Sequence, residues 1–290
     1  MAGTLAERYQ AVKERVATAA RRAGRAPDSV LVVAVSKYAD MDQVRELIRL
    51  GHQDFGESRA LQLAQRAAMG DELIDRQRTL PSIAAEARKH TLFGQAAPKR
   101  VPAPGRGSGA SDLERIVTPS DIRWHMIGHL QRNKVRKILG VTRLVHSVDS
   151  LRLVEEIQNV AFKRDEPVEV LVQVNCSGED HKHGCAVPAA AHLCEQIDTM
   201  VHLKVRGLMT MAAYGDDPEE SRSAFERCRE VFDDIRRRGV GGEAFNILSM
   251  GMTNDFEVAI SCGSNLVRIG SAIFGDRPGV DENAEETEEE

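Results

Sequence analysis

Short apolar runs rich in β-branched residues recur in series along this chain, each closed by polar or glycine residues and followed by a helical pattern. That alternation constrains the fold more than any single residue does, because parallel strands need a long crossover and a helix is the usual one. The first run, Val32 to Tyr38, ends abruptly in Ser36 and Lys37 and reads as a strand delivering a lysine to its C-terminal end. Met41, Val44, Leu47 and Ile48 then fall three or four apart, which predicts a helix from Asp40 that stops at Gly51. Further strands are expected at Gln53 to Gly56, Ile122 to Ile127, Leu144 to Ser147, Val168 to Val174, Val205 to Met209, Phe245 to Leu248 and Leu266 to Ile269. Helices are expected at Leu5 to Ala23, Asn133 to Leu139, Ser150 to Phe162, Ala189 to Met200, Glu219 to Arg238 and Asp255 to Ser261. Eight alternations without a second compositional domain predict a single (β/α)8 TIM-type barrel over residues 1–275.

Two stretches break the pattern. Residues 70–120 hold Pro81, Pro98, Pro102, Pro104 and Pro119 with Gly105, Gly107 and Gly109, and read as a partly flexible insertion before strand three. Within it a helix near Leu80 to His90 and a loop from Lys99 to Ser111 are expected; Lys99, Arg100 and Arg106 lack interleaved aromatics and read as solvated loop. Residues 276–290 end in a run of carboxylates and read as an acidic, disordered tail. A net charge of -5 gives no general attraction for nucleic acid or anionic membrane. The 5 cysteines include no CxxC pair, and residues 1–24 form no secretory apolar core, so a reduced, cytoplasmic protein without a membrane segment is expected.

Ligands of parallel α/β folds sit at the C-terminal ends of the strands, so Lys37 is either placed for chemistry or simply reaches solvent there. Ser249 to Thr253 follows strand seven and Gly270 to Ala272 follows strand eight. Small residues in these two loops let backbone N–H groups approach a phosphate, or else only form tight turns. Barrel closure sets both loops beside strand one. An amine next to a phosphate cradle suggests a Schiff base to a phosphorylated aldehyde, of which pyridoxal phosphate is the commonest cofactor. Arg268, in the last strand, would then face the pyridine nitrogen and, staying protonated, weaken the cofactor as an electron sink.

At these residues the chain resembles the pyridoxal phosphate homeostasis proteins, the YggS and PROSC family, which are similar to the N-terminal barrel domain of alanine racemase. The matching stretches are LVVAVSK (Leu31 to Lys37), FGE (Phe55 to Glu57), WHMIGHLQRNK (Trp124 to Lys134), RGLM (Arg206 to Met209), LSMGMTNDF (Leu248 to Phe256) and RIGSAIFG (Arg268 to Gly275). The resemblance implies an alanine racemase N-terminal-domain-like barrel in which Lys37 holds pyridoxal 5'-phosphate as an internal aldimine and Arg268 contacts the pyridine nitrogen. It also implies that Ser249, Gly270 and Ser271 bind the phosphate, with Met250, Gly251 and Met252 shaping the loop around it. This chain departs from the family at Ser58, where an Asn that helps enclose the cofactor is usual, and in the insertion before Trp124.

The resemblance further implies that a racemase needs a second base, a Tyr on the opposite face from the lysine, completed by a C-terminal domain and a partner subunit. The tyrosines are Tyr9, Tyr38 and Tyr214. Tyr38 directly follows the lysine, and adjacent side chains of an extended strand point oppositely, so it is not expected to serve; Tyr214 stays open. No length is expected for a second domain after strand eight. The reading is therefore a monomeric carrier that holds pyridoxal phosphate for intracellular homeostasis and delivery to apo-enzymes, without substantial catalysis. A weak racemase using the same aldimine, or a phosphate-binding barrel with Lys37 as an anion contact, are the alternatives. His181, His183 and Cys185 lie close in sequence, but no fourth ligand is evident and no metal is expected. His125 and His129 either line the pocket or only pack, and Arg132, Lys134, Arg136 and Lys137 read as a solvated face.

Overall fold

The computed structural model describes residues 3–70, 122–179, 183–213, 215 and 217–275. The chain divides into two compact units, Met1–Arg66 with Arg123–Glu290, and Ala67–Ile122. Every described strand belongs to the first. The helix expected near Leu80 to His90, the loop from Lys99 to Ser111, the acidic tail, His181 and Tyr214 all lie outside the described residues.

The strands are β1 (Leu31–Val35), β2 (Asp54–Glu57), β3 (Arg123–Met126), β4 (Thr142–Val148), β5 (Val168–Asn175), β6 (Cys185–Ala186), β7 (Leu203–Met209), β8 (Ile247–Ser249) and β9 (Leu266–Ile269). They run in the order β4-β3-β2-β1-β9-β8-β7-β5, and β4 pairs again with β5, so the sheet closes on itself. All pairings are parallel. The expected eight-stranded barrel is therefore present. The two-residue β6, which the sequence pattern did not signal, lies outside the ring and pairs with Val174 and Asn175 at the end of β5.

Helices α1 (Leu5–Arg22) and α2 (Met41–Arg49) start at capping boxes, Thr4 with Glu7 and Asp40 with Gln43, which satisfy otherwise orphaned amides. A further helix, α3, covers residues 60–70, and α4 (Val135–Ile138), α5 (Leu151–Arg164), α6 (Val187–Asp198), α7 (Arg222–Arg237), α8 (Phe256–Ser261) and α9 (Ser271–Phe274) follow. The expected helix from Glu219 instead opens with a 3-10 turn, Pro218–Ser221, because proline fixes its first residue and Asp217 accepts a hydrogen bond from the Glu219 amide. Along α7 the buried Phe225, Cys228, Phe232 and Ile235 form the stripe that packs inward. No described helix is long and apolar enough to cross a membrane.

Val33, Leu144, Leu171, Met209, Ile247 and Leu266 fill the barrel interior as one apolar cluster. Side chains two apart on a strand share a face. His146, Ser249 and Arg268 therefore stand on the same inner face as Leu144, Ile247 and Leu266, one step nearer the C-terminal mouth. The interior thus changes from apolar to polar toward the end where ligands sit.

Candidate functional site

Strand β1 stops at Val35, and Lys37 lies in a turn beyond it, closed by the Ala39 amide donating to Ser36 O at 2.9 Å. The expectation that Lys37 and Tyr38 point to opposite sides rested on an extended strand and is corrected here: the Lys37 ammonium lies 4.7 Å from the centre of the Tyr38 ring. A turn does not alternate its side chains. No ion pair or hydrogen bond joins the Lys37 ammonium to another described side chain.

The turn is braced from beneath. Ser36 Oγ donates to the buried Glu57 Oε1 at 2.6 Å, and Arg66 Nε meets the same oxygen at 2.9 Å. Arg66 also donates to Ala39 O at 2.7 Å, and Gln62 donates to Lys37 O at 3.1 Å. Burial raises the Glu57 pKa, while Arg66 and Ser36 pull it down, and the net shift is upward. FGE was legible as a motif, but the role of Gln62 and Arg66 was not. The one available signal was their spacing of four on a helix that follows that motif.

The loops after β8 and β9 meet beside this turn. Ser249 and Met250 are buried, whereas Met252 is exposed. Gly251 has φ +94°, and a Cβ there would lie 2.6 Å from Ala259 Cβ, so only glycine fits. Its carbonyl accepts from the Arg268 amide at 3.0 Å. A Cβ on Gly270 would lie 3.5 Å from Val35, which puts the β9 loop against the end of β1, two residues before Lys37. Ser271 opens α9, whose first amides have no partner within the helix. Ser58 follows β2, and its backbone packs against Gly128 in the loop after β3. Lys37, Gly270 and Ser271 are thus gathered on one arc of the mouth.

Ser249 and Arg268 belong to a buried hydrogen-bond chain that sequence reading missed. Arg268 Nη1 donates to Ser249 Oγ at 2.7 Å and Nη2 to Thr210 O at 3.0 Å. Ser249 Oγ lies 3.1 Å from His146 Nδ1, His146 Nε2 lies 2.9 Å from His125 Nδ1, and His125 Nε2 lies 3.1 Å from Asp54 Oδ1. A guanidinium only donates and a carboxylate only accepts, so with one proton on each ring the direction of every bond follows from the two ends. The Ser249 hydroxyl donates to His146, His146 donates from Nε2 to His125, and His125 donates from Nε2 to Asp54. His125, left open between pocket and packing, is a buried link in this chain. Burial lowers the Arg268 pKa to about 10, so the guanidinium remains charged at neutral pH.

Burial, with His125 and Arg268 adding to it, holds His146 well below its usual range, and burial brings His52 down to about 4. His52 donates from Nε2 to Asp54 O at 2.7 Å and faces the Tyr9 hydroxyl at 3.1 Å, an arrangement that suits the neutral ring. Unfolded histidines take up protons as pH falls through about 6.5, whereas these two resist until lower pH, so the stability they contribute is whole above that value and lost below it. For His52 alone, a fall from 6.5 to about 4 corresponds to roughly 3 kcal/mol lost by pH 4. Urea midpoints measured at about pH 7.5 and about pH 5 should differ, with the lower at acid pH; equal midpoints would remove both histidines from the account.

On the opposite arc, His129, Asp149 and His183 hold their donor atoms within 4.8 Å of one another. His183 therefore gathers with residues from other loops rather than acting with Cys185 alone. Burial pushes the Cys185 thiol up to about 12, with Asp149 and Cys176 adding to the shift. Arg132, Arg136 and Lys137 are exposed, as a solvated face requires, whereas Lys134 is half-buried.

Residues 8–278 match the family of the alanine racemase N-terminal domain. A pyridoxal phosphate homeostasis protein of Aquifex aeolicus is 33% identical over 271 residues, covering 93% of this chain and 97% of that protein. The crystal structure of an unknown protein from Bifidobacterium adolescentis superposes with a TM-score of 0.74 at 33% identity, over 93% of this chain and 94% of that one. PipY of Synechococcus elongatus, solved with pyridoxal phosphate bound, superposes with a TM-score of 0.62 at 25% identity, over 91% of this chain and 100% of PipY. With its closed parallel barrel, its lysine turn and its glycine loops after β8 and β9, the chain belongs to the pyridoxal phosphate homeostasis proteins, within the alanine racemase N-terminal domain family.

Proposed function

We propose that this protein binds pyridoxal 5'-phosphate and holds it for intracellular homeostasis and delivery rather than for turnover. The observation that carries the reading is the Lys37 ammonium, without a described ion-pair partner, in a braced turn against the Gly270 loop. The donor set fits the group. Amides at the start of α9, the small residues Gly251, Gly270 and Ser271, and the hydroxyl of Ser249 suit a phosphate, with Ser249 exchanging its bond to His146 for one to the anion. The buried, charged Arg268 suits the pyridine nitrogen as a donor, and Ser58 and Met250 are the residues proposed to flank the ring. When bound, pyridoxal phosphate would supply an electrophilic aldehyde, and Lys37 is the amine that would hold it. The Glu57 and Arg66 brace fixes the turn that carries that amine, and Ser249 Oγ and Thr210 O, both accepting from Arg268, keep the guanidinium oriented.

Delivery without turnover is supported by the homeostasis names of its relatives, and a donor such as Arg268 at the ring nitrogen would weaken electron withdrawal. Apo-enzymes that take pyridoxal phosphate are the proposed recipients. The unpaired state of all 5 cysteines agrees with a reducing compartment, and the cytoplasm is the proposed location. The purified protein should show a visible absorption band that borohydride abolishes, and Lys37→Ala should lack it. A protein that added pyridoxal phosphate cannot colour would overturn the reading, and turnover of alanine by the coloured protein would overturn the carrier role.

A further inference from the structure

His129, Asp149 and His183 come from the ends of three successive ring strands, β3, β4 and β5, across the mouth from β9 and β1. The two imidazole rings stack, with centroids 4.3 Å apart and planes 15° from parallel, and His129 Nδ1 stands 3.8 Å from Asp149 Oδ2. Each position has a buried neighbour. The buried Leu130 directly follows His129, the buried Val148 directly precedes Asp149, and the buried Gln173 donates its side-chain amide to His183 O at 3.0 Å. The residues just after His183 are held as well, because Gly184 packs its backbone on Asn175, and Cys185 and Ala186 pair with the end of β5 as β6. Two imidazoles stacked beside a carboxylate bring three potential ligand atoms within 4.8 Å of one another.

We propose that His129, Asp149 and His183 form a binding site for a single divalent transition-metal ion of the zinc class on the barrel rim. Two nitrogens and one carboxylate oxygen suit zinc, cobalt or nickel and disfavour calcium and magnesium, which need mostly oxygen donors. Metal–donor bonds of about 2.0–2.2 Å require the donors to stand about 3–4 Å apart, so a spacing of up to 4.8 Å closes by at most roughly 2 Å through side-chain rotation. Three protein ligands leave at least one coordination position open to water or an anionic group at the mouth. The ion would tie the loops after β3, β4 and β5 together. The site stands independently of the cofactor reading, since it shares no residue with it.

The test uses the full, untagged chain after treatment with a chelator. Zinc titrated by calorimetry should bind one ion per chain, and cobalt should give visible absorption of a tetrahedral or five-coordinate site. His129→Ala, His183→Ala and Asp149→Asn should each weaken binding by at least about tenfold, and zinc should raise the unfolding temperature of the parent protein but not of these variants. All three positions are exposed or half-buried, so the variants should fold, which circular dichroism checks. Cys185→Ser should leave zinc affinity unchanged. Absence of saturable binding below millimolar zinc, or binding that survives both histidine substitutions but is lost in Cys185→Ser, would overturn the proposal.

Discussion

Gly207→Ala should be the most damaging single methyl that can be added to the described barrel. Gly207 has φ +149°, a region L side chains rarely adopt, and a Cβ there would run into the carbonyl oxygen of Ile247 and stand 2.7 Å from its carbonyl carbon. The obstacle is backbone of the neighbouring strand, since Gly207 pairs with Ile247, so no rotamer change relieves it. The close approach has a cause on the other side. Between β5 and β7 the register shifts, with Val170 opposite Val205 and Leu171 opposite Gly207, which leaves Arg206 as the extra residue of a bulge. The bulge turns Arg206 outward from the barrel's pairing to Glu169 at 2.7 Å and Ala244 O at 2.9 Å, while Arg143 holds the other Glu169 oxygen at 2.9 Å. A loss of more than about 4 kcal/mol is expected, seen as insoluble protein or a melting point lowered by at least about 8 °C. A variant melting within a degree or two of the parent would mean that β7 and β8 separate easily, contrary to this account.

Asp54→Ala should follow closely in severity. Asp54 is buried, accepts from Arg123 Nε at 2.6 Å and from Arg123 Nη2, and takes the end of the histidine chain at 3.1 Å. Removing the carboxylate leaves a guanidinium and an imidazole N–H without their acceptor, at a cost of about 3–5 kcal/mol. Burial alone would raise the Asp54 pKa, but the hydrogen bonds from His125 and Arg123, with the charge of Arg123, outweigh it and hold the carboxyl well below the usual range. A depressed carboxyl stabilises above its unfolded pKa, about 3.9, and loses that contribution as pH falls through the folded value. Asp54 therefore acts in stronger acid than His52 and His146. In Asp54→Ala the acid limb of the stability curve below pH 4 should flatten while the histidine limb persists. Adding Arg123→Leu to Asp54→Ala should restore part of the loss by removing the stranded charge; double-variant unfolding that merely sums the two single losses would argue against coupling.

Some of this was available from the order of residues alone. Strand-forming runs such as Val168 to Val174 and helix stripes such as Phe225 to Ile235 are local periodicities, and they survive into the fold because each records which side of one element is buried. Their strict alternation gave a parallel barrel, and barrel geometry then set the loops after β8 and β9 beside β1. That Lys37, Gly251, Gly270 and Arg268 stand at or just beyond strand ends was legible for that reason, since strand ends with special residues stand out in a one-dimensional pattern.

What the sequence could not hold is anything decided by closure of the ring. The link from Arg268 through Ser249, His146 and His125 to Asp54 draws on five strands, and no spacing along the chain encodes which inward side chains meet at one height. The same is true of Asp149, silent in sequence, which finds His129 and His183 only because the ends of β3, β4 and β5 adjoin at the rim. A shift of two residues likewise moved Lys37 from a strand into a turn and altered which way it faces relative to Tyr38. Periodicity determined the elements and their order; register, bulge and closure decided which polar groups could satisfy one another, because a buried donor finds its acceptor only across neighbouring strands.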